Sequence, residues 1–205
     1  KEADAAPDAI DWEGNVYGAR IEVEEPATEP EAPPVGESVN MITAVSKTLH
    51  EVMAEHDDVV IFGEDVADPK GGVFKATVGL TDAYGANRSF NTPLAESLII
   101  GVAIGIAAAG GRPIAEIQFS DFISIAMDQL ANQAAKIRYM FGGRAQVPLT
   151  VRAPSGSGTG AAAQHSQSLE ALLMHVPGLT IAAPSNPRDA KGLLRTAIRS
   201  DNPVL

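Results

Sequence analysis

Glu96 is the residue whose setting first suggests chemistry. It closes the run Thr92-Pro93-Leu94-Ala95-Glu96, which reads as a helix start: Thr92 can cap, Pro93 suits the first helical position, and Glu96 falls within the first turn. A carboxylate there complements the helix dipole, which is a common and modest stabilisation. Its flanks, Leu94 and Leu98 to Ile100, are strongly apolar, so the expectation is a largely desolvated carboxyl facing a partner of its own. On residue types alone, dipole partner and functional acid are evenly matched. His165 is the second candidate. It follows Pro154-Ser155-Gly156-Ser157-Gly158-Thr159-Gly160, which resembles a phosphate cradle but lacks the Gly-Lys-Ser/Thr ending of a P-loop. The other reading of that run is a mobile loop that lets His165 reach a pocket. His50 and His175 sit in helical patterns and are assigned nothing. The absence of cysteine excludes disulfides, thiolate metal sites and a cysteine nucleophile.

These residues need elements to hold them. Ile42, Val45, Leu49 and Val52 to Met53 recur at helical spacing. Val59-Val60-Ile61-Phe62, closed by Gly63, has the composition of a strand buried on both faces. Ser89-Phe90 is a shorter strand candidate. Leu94 to Gly110 is apolar all round, with Gly101 and Gly105 four apart, as expected of a buried helix packed closely by neighbours. Residues 113–119 read as strand and 122–140 as one long helix, on which Asp128 and Asn132 share a face suited equally to subunit and cofactor contact. Residues 147–152 follow as strand, 168–175 as helix, 179–183 as strand and 187–198 as helix. This alternation predicts an α/β fold, a three-layer α/β/α sandwich around a mostly parallel central sheet. Ligands in such sheets bind beyond the carboxyl ends of the strands. The segments expected there are Glu64-Asp65, Asn91 to Glu96, Gln118 to Phe122 and Pro154 to His165. A pocket is therefore expected on that edge.

Composition bounds the remaining classes. The chain has 205 residues and a net charge of −11, of which −9 falls in residues 1–40 and only −2 in residues 41–205. Residues 1–40 are acidic and proline-rich, a linker or leader by composition, although Trp12, Val16, Tyr17, Ile21 and Val23 could dock as a short strand. They lack the apolar stretch and arginines of signal and transit peptides. Neither part carries the basic stripe that nucleic-acid binding needs. The most membrane-like run, Ser97 to Gly110, is too short to span a bilayer. The Lys1 start and the strand-like ending Asn202-Pro203-Val204-Leu205 suggest a piece of a longer polypeptide.

With these segments in place, a family resemblance emerges. Gly63-Glu64-Asp65-Val66, Gly71-Gly72-Val73-Phe74, Thr92-Pro93-Leu94-Ala95-Glu96 and Arg112-Pro113-Ile114-Ala115-Glu116-Ile117-Gln118-Phe119 carry its first half. His165-Ser166-Gln167-Ser168-Leu169-Glu170-Ala171, Pro177-Gly178-Leu179 and Asp189-Ala190-Lys191-Gly192-Leu193-Leu194 carry its second. In order and spacing these resemble the β subunit of thiamine-diphosphate-dependent 2-oxo acid dehydrogenases of the pyruvate, branched-chain and acetoin types. The resemblance implies a transketolase-like pyrimidine-binding domain over residues 41–205. It also implies roles by position. The glutamate matching Glu96 hydrogen-bonds the cofactor's aminopyrimidine ring and favours the tautomer that removes the thiazolium C2 proton. Phe122 matches the aromatic that stacks on that ring, Glu64 and Leu94 lie beside it, and Gln118 is another cofactor-lining position. His165 matches a histidine near the thiazolium, implicated in proton transfer as the acyl group passes to a lipoyl carrier.

The family's Gly-Asp-Gly motif, which with a later Asn holds the diphosphate through Mg²⁺, does not occur here. The resemblance therefore implies an α subunit or a fused α half that supplies the diphosphate site and metal ligands, with no metal ligand in this chain. It further implies an (αβ)2-type assembly, a lipoyl-bearing acyltransferase partner, and truncation before the family's carboxyl-terminal domain. The setting would be the cytoplasm of a bacterium or the mitochondrial matrix of a eukaryote. A chain holding only the pyrimidine end should be inactive alone. The competing readings are a transketolase-type half-site, against which the His165 and Ala190 blocks argue, and a non-catalytic isolated domain.

Overall fold

A computed structural model describes residues 38–205. Residues 1–37, with Trp12, Val16, Tyr17, Ile21 and Val23, lie outside the described residues. Helix α1 spans Met41–Glu55 and is capped by Asn40, whose side chain accepts from the Thr43 N–H at 2.8 Å. Its apolar stripe buries Leu49, Val52 and Met53. Strand β1 (Val59–Gly63), the short helix α2 (Leu80–Tyr84), strand β2 (Ser89–Asn91) and helix α3 (Glu96–Ala108) follow. Strand β3 is Arg112–Glu116, β4 is Thr150–Arg152, and helices α4 (Ala135–Met140), α5 (Glu170–Met174) and α6 (Pro187–Arg199) complete the set.

The four strands form one sheet in the order β2-β1-β3-β4, every pair parallel. Alternation along the strands divides the core between the two faces. Val59, Ile61 and Ile114 point to α1 and α6, where they join Leu49, Val52, Met53 and Ile198. Phe62, Ala115 and Ile117 point the other way, to Ile99, Ile100, Ala103, Ile123 and Leu130. Burial on both faces explains why these strands are continuously apolar, and the α/β/α expectation is met. Glu51 and Glu55 of α1 grip Lys191 and Arg195 of α6, closing the first layer at its rim.

Three expectations change. The single long helix over 122–140 is instead a 3₁₀ segment at Ser120–Ala126, a π-helical segment at Gln129–Ala134 and then α4. The pattern of apolar spacing is still roughly helical, so periodicity alone could not reveal the changes of winding. The strand expected at 179–183 shrinks to an isolated bridge between Thr180 and Val204, and Val204 bridges Thr150 on its other side. Helix α3 buries Ile99, Ile100, Ala103 and Ala107 but leaves Leu98 and Val102 exposed, so it is covered on one flank only.

Candidate functional site

The carboxyl ends of the strands converge as parallel topology requires, and cross-links set the loops there. The Thr92 N–H donates to Gly63 O at 2.9 Å, and the Ala67 N–H to Asn91 Oδ1 at 2.8 Å, which ties the turn after β1 to the turn after β2. Gly63 must be glycine because a Cβ there would collide with the Glu116 carbonyl on β3. The chain turns sharply just past Glu64, where Asp65 adopts a left-handed φ of 59°. Glu64 is half-buried, and its carboxyl is pushed above the ordinary range, first by burial and then by the charges of Asp65 and Glu96, with Lys70 opposing. Glu64 and Glu96 therefore share one electrostatic environment. Two residues 32 positions apart in sequence thus lie at the same edge of the sheet.

Glu96 is the first residue of α3, behind an N-cap at Ala95. Thr92 does not cap the helix as expected; its Oγ1 is buried with no hydrogen-bond partner. Pro93 lies before the helix, in a tight turn closed from the Ala95 N–H to Pro93 O at 2.9 Å. The expected desolvation of Glu96 is also corrected. It is half-buried, Leu94 is 76% exposed and Leu98 47%, because only the Ile99–Ile100 side of the helix faces this chain's core. Ser97 donates to Ile125 O at 2.6 Å, fastening the helix that carries Glu96 to the 3₁₀ segment that carries Phe122.

The segments past β3 and β4 form an aromatic wall. Phe119 packs edge-on against Phe74, Phe122 and His165, with ring centroids 5.7, 6.3 and 4.5 Å apart. Phe122 and His165 lie 5.3 Å apart at 86°. Gln118 is half-buried immediately before this cluster, at the exit of β3. Two N–H groups of the glycine-rich run are already spent, one of them on the segment just past His165. Its Gly156 N–H is committed to Gln167 O at 3.0 Å and its Gly160 N–H to Ser157 O at 3.0 Å. Sequence reasoning missed Phe74 and Phe119, whose role depends on contacts between distant segments. It also missed the ion pair of Glu116, 3% exposed, with Arg152 at 2.8 Å, which locks β3 to β4 directly beneath this edge. Side-by-side register on neighbouring strands is the only signal for that pair, and two short segments do not reveal register.

A cavity of about 460 Å³ lies further along the sheet, between Val151 to Ala153 and Ile181 to Ala183. None of Glu64, Leu94, Glu96, Gln118, Phe122 and His165 lines it. It is bordered by Val204 and Leu205, which pair between Leu149 to Val151 and Thr180 to Ala182, and its lining is mostly apolar. It touches the aromatic cluster only through Phe74.

Glu64 follows β1 and Glu96 follows β2, while the Phe119–Phe122–His165 cluster lies past β3 and β4, so the side chains share the carboxyl edge of the sheet where parallel sheets bind ligands. Among the described residues, the buried hydroxyls Thr92 Oγ1 and Ser166 Oγ have no hydrogen-bond partner. Among the described residues no three acidic or histidine side chains gather as a metal would require. No described helix is long and apolar enough to cross a membrane.

Residues 37–205 match the pyrimidine-binding domain of transketolase. The β subunit of mitochondrial 2-oxoisovalerate dehydrogenase from Chaetomium thermophilum is 52% identical over 169 residues, covering 82% of this chain and 36% of that protein. The β subunit of acetoin:2,6-dichlorophenolindophenol oxidoreductase from Bacillus subtilis is 46% identical over 177 residues, covering 81% of this chain and 52% of that one. The chain thus spans about half or less of the relatives it matches. A solved structure described as a split gene transketolase, an inactive beta4 tetramer, superposes with a TM-score of 0.63 at 22% identity, over 82% of this chain and 50% of that one, and shares the fold.

Proposed function

Because the chain belongs to the transketolase pyrimidine-binding domain family, we propose that residues 41–205 form the pyrimidine-binding half of a thiamine-diphosphate site in the first component of a 2-oxo acid dehydrogenase. The observation that carries this reading is the convergence on one edge of Glu64, Glu96 and the Phe119–Phe122–His165 cluster. When bound, the cofactor supplies the electron sink for decarboxylation. Glu96 would accept a hydrogen bond from, or share a proton with, the ring nitrogen that faces it. Phe122 would offer its face to the ring, with Gln118 and Leu94 lining the pocket. Glu64, with its carboxyl pushed upward by burial and like charge, binds a proton more tightly than a free glutamate does. His165 would move a proton as the acyl group leaves for a lipoyl carrier.

The half-buried state of Glu96 and the exposure of Leu94 imply that another surface closes the pocket. We assign that surface to a diphosphate-binding α subunit or fused α half, which would also bring the Mg²⁺ ligands. Relatives near 50% identity are named as dehydrogenase or acetoin-oxidising subunits, which favours this class over a transketolase reaction. The setting proposed is the bacterial cytoplasm, or the mitochondrial matrix in a eukaryote.

The test is Glu96→Gln in the complete assembled enzyme. It should abolish exchange of the cofactor C2 proton while leaving thermal stability near that of the parent. Near-normal exchange would remove the assignment. Assays with pyruvate, branched-chain 2-oxo acids and acetoin then settle the substrate.

A further inference from the structure

We infer that Asp121 is a positioning residue, whose carboxylate holds the His165 segment against the aromatic wall by gripping Gln167. Asp121 is 7% exposed, yet among the described residues no salt bridge offsets its charge. Its Oδ1 accepts from Gln167 Nε2 at 2.8 Å and from the Gln167 backbone N–H at 3.2 Å. Gln167 is held from the opposite side as well, where its carbonyl accepts from Ser120 Oγ at 3.2 Å and from the Gly156 N–H at 3.0 Å. The Ser120 N–H in turn donates to Pro154 O at 2.8 Å. Residues 120–121 and 154–156 thus close around one residue, and that residue lies two positions beyond His165.

The placement is what gives the clasp its consequence. Ser120 and Asp121 lie between Phe119 and Phe122 in sequence, and those are the two rings that touch the His165 imidazole. One end of the clasp is therefore built into the aromatic wall, and the other into the loop that delivers the histidine. Among the described residues the imidazole makes only edge-on aromatic contacts, which constrain a ring far less than hydrogen bonds do. Its position is fixed by the backbone at Gln167. A carboxylate suits this task because it is acceptor-only, and the groups it meets are N–H donors. Burial raises its pKa, but the bonds from the Gln167 side chain and backbone outweigh that and hold it ionised below the ordinary aspartate range.

This inference rests on the proposed role of His165, and the experiment separates the two. In the assembled enzyme, Asp121→Ala should lower kcat for acyl transfer to the lipoyl carrier by about 10- to 100-fold with KM little changed, as expected when a proton-transfer group is displaced by about 1 Å. Asp121→Asn keeps one carbonyl acceptor and should recover to within about threefold of the parent. The decisive arm is His165→Ala combined with Asp121→Ala. If Asp121 acts through His165, the double variant is no slower than His165→Ala alone. Losses that multiply, or parent-like kcat in Asp121→Ala, would overturn the clasp. Should Asp121→Ala fail to assemble, Gln167→Ala substitutes for it in the same cycle, and parent-like kcat there is equally fatal. If His165→Ala itself retains full acyl transfer, it is the proposed role of His165 that fails, which hydrogen exchange at residues 165–168 distinguishes. Faster exchange in Asp121→Ala still reports the clasp.

Discussion

Glu64 shows how a site residue trades stability for readiness. Its pKa is raised above the ordinary glutamate range, first by burial and then by the charges of Asp65 and Glu96. An acid whose folded pKa is raised binds its proton more tightly in the native state. Stability therefore falls as pH rises from the unfolded pKa through the folded one. Removing the charge should relieve that penalty. Glu64→Gln is expected to raise Tm at pH 7, and the gain should vanish below about pH 4, where the parent is protonated in both states. The same variant should bind thiamine diphosphate more weakly in the assembled enzyme. Calorimetry at the two pH values checks the first outcome and cofactor titration the second; an unchanged Tm at pH 7 would show that the like charges are fully screened. Residues of this kind were legible in the sequence because local context marks them. Glu64 ends an apolar strand, Glu96 opens an apolar helix and His165 follows a glycine-rich run. Asp121 was not legible. Its meaning lies in a bond to a residue 46 positions away, and nothing in the run Phe119 to Phe122 announces that partner.

Elements follow the same division between local and distant causes. Strands β1 to β3 and helices α1, α3 and α6 were readable because apolar period and caps are local properties. Asn186 bonds the Asp189 N–H at 2.9 Å and so starts α6 where Pro187 predicts. The 3₁₀ and π windings between Ser120 and Ala134 depend on what packs against them, including the Ser97 bond to Ile125 O. Register is another tertiary property, and Glu116↔Arg152 is its most consequential pair. The guanidinium donates twice to Glu116 Oε2, at 2.8 and 3.2 Å, with the carboxylate almost wholly enclosed. Arg152→Ala leaves that charge without its partner and should destabilise the domain by about 3–5 kcal/mol. Replacing both residues with Leu should cost much less, since the desolvation penalty leaves with the charge. Denaturant melts of the parent and the two variants test this, and a single variant no worse than the double would mean that water reaches Glu116.

At the scale of the whole molecule, the question is what covers the open flank of α3. A helix this apolar is normally enclosed, yet Leu98 is 47% and Val102 38% exposed, with Leu94 and Ile125 beside the same edge more open still. Contiguous apolar surface of this kind marks an interface in a stable protein. Here it adjoins Glu96, so whatever covers it also completes the desolvation that the sequence led one to expect and that this chain does not achieve alone. The proposed diphosphate-binding half fits both needs at once. Val102→Glu puts a charge on the exposed flank, two turns of helix or less from Glu96 but away from the Ile99–Ile100 core side. It should leave the fold of the β-like part intact by circular dichroism. Co-expressed with the diphosphate-binding half, it should cut the assembled fraction by about tenfold or more, because an unpaired charge in a closed interface costs on the order of several kcal/mol. Light scattering reads the assembly directly. A parent-like assembled fraction would place the partner on another face, and the covering of Glu96 would then have to come from movement within this chain.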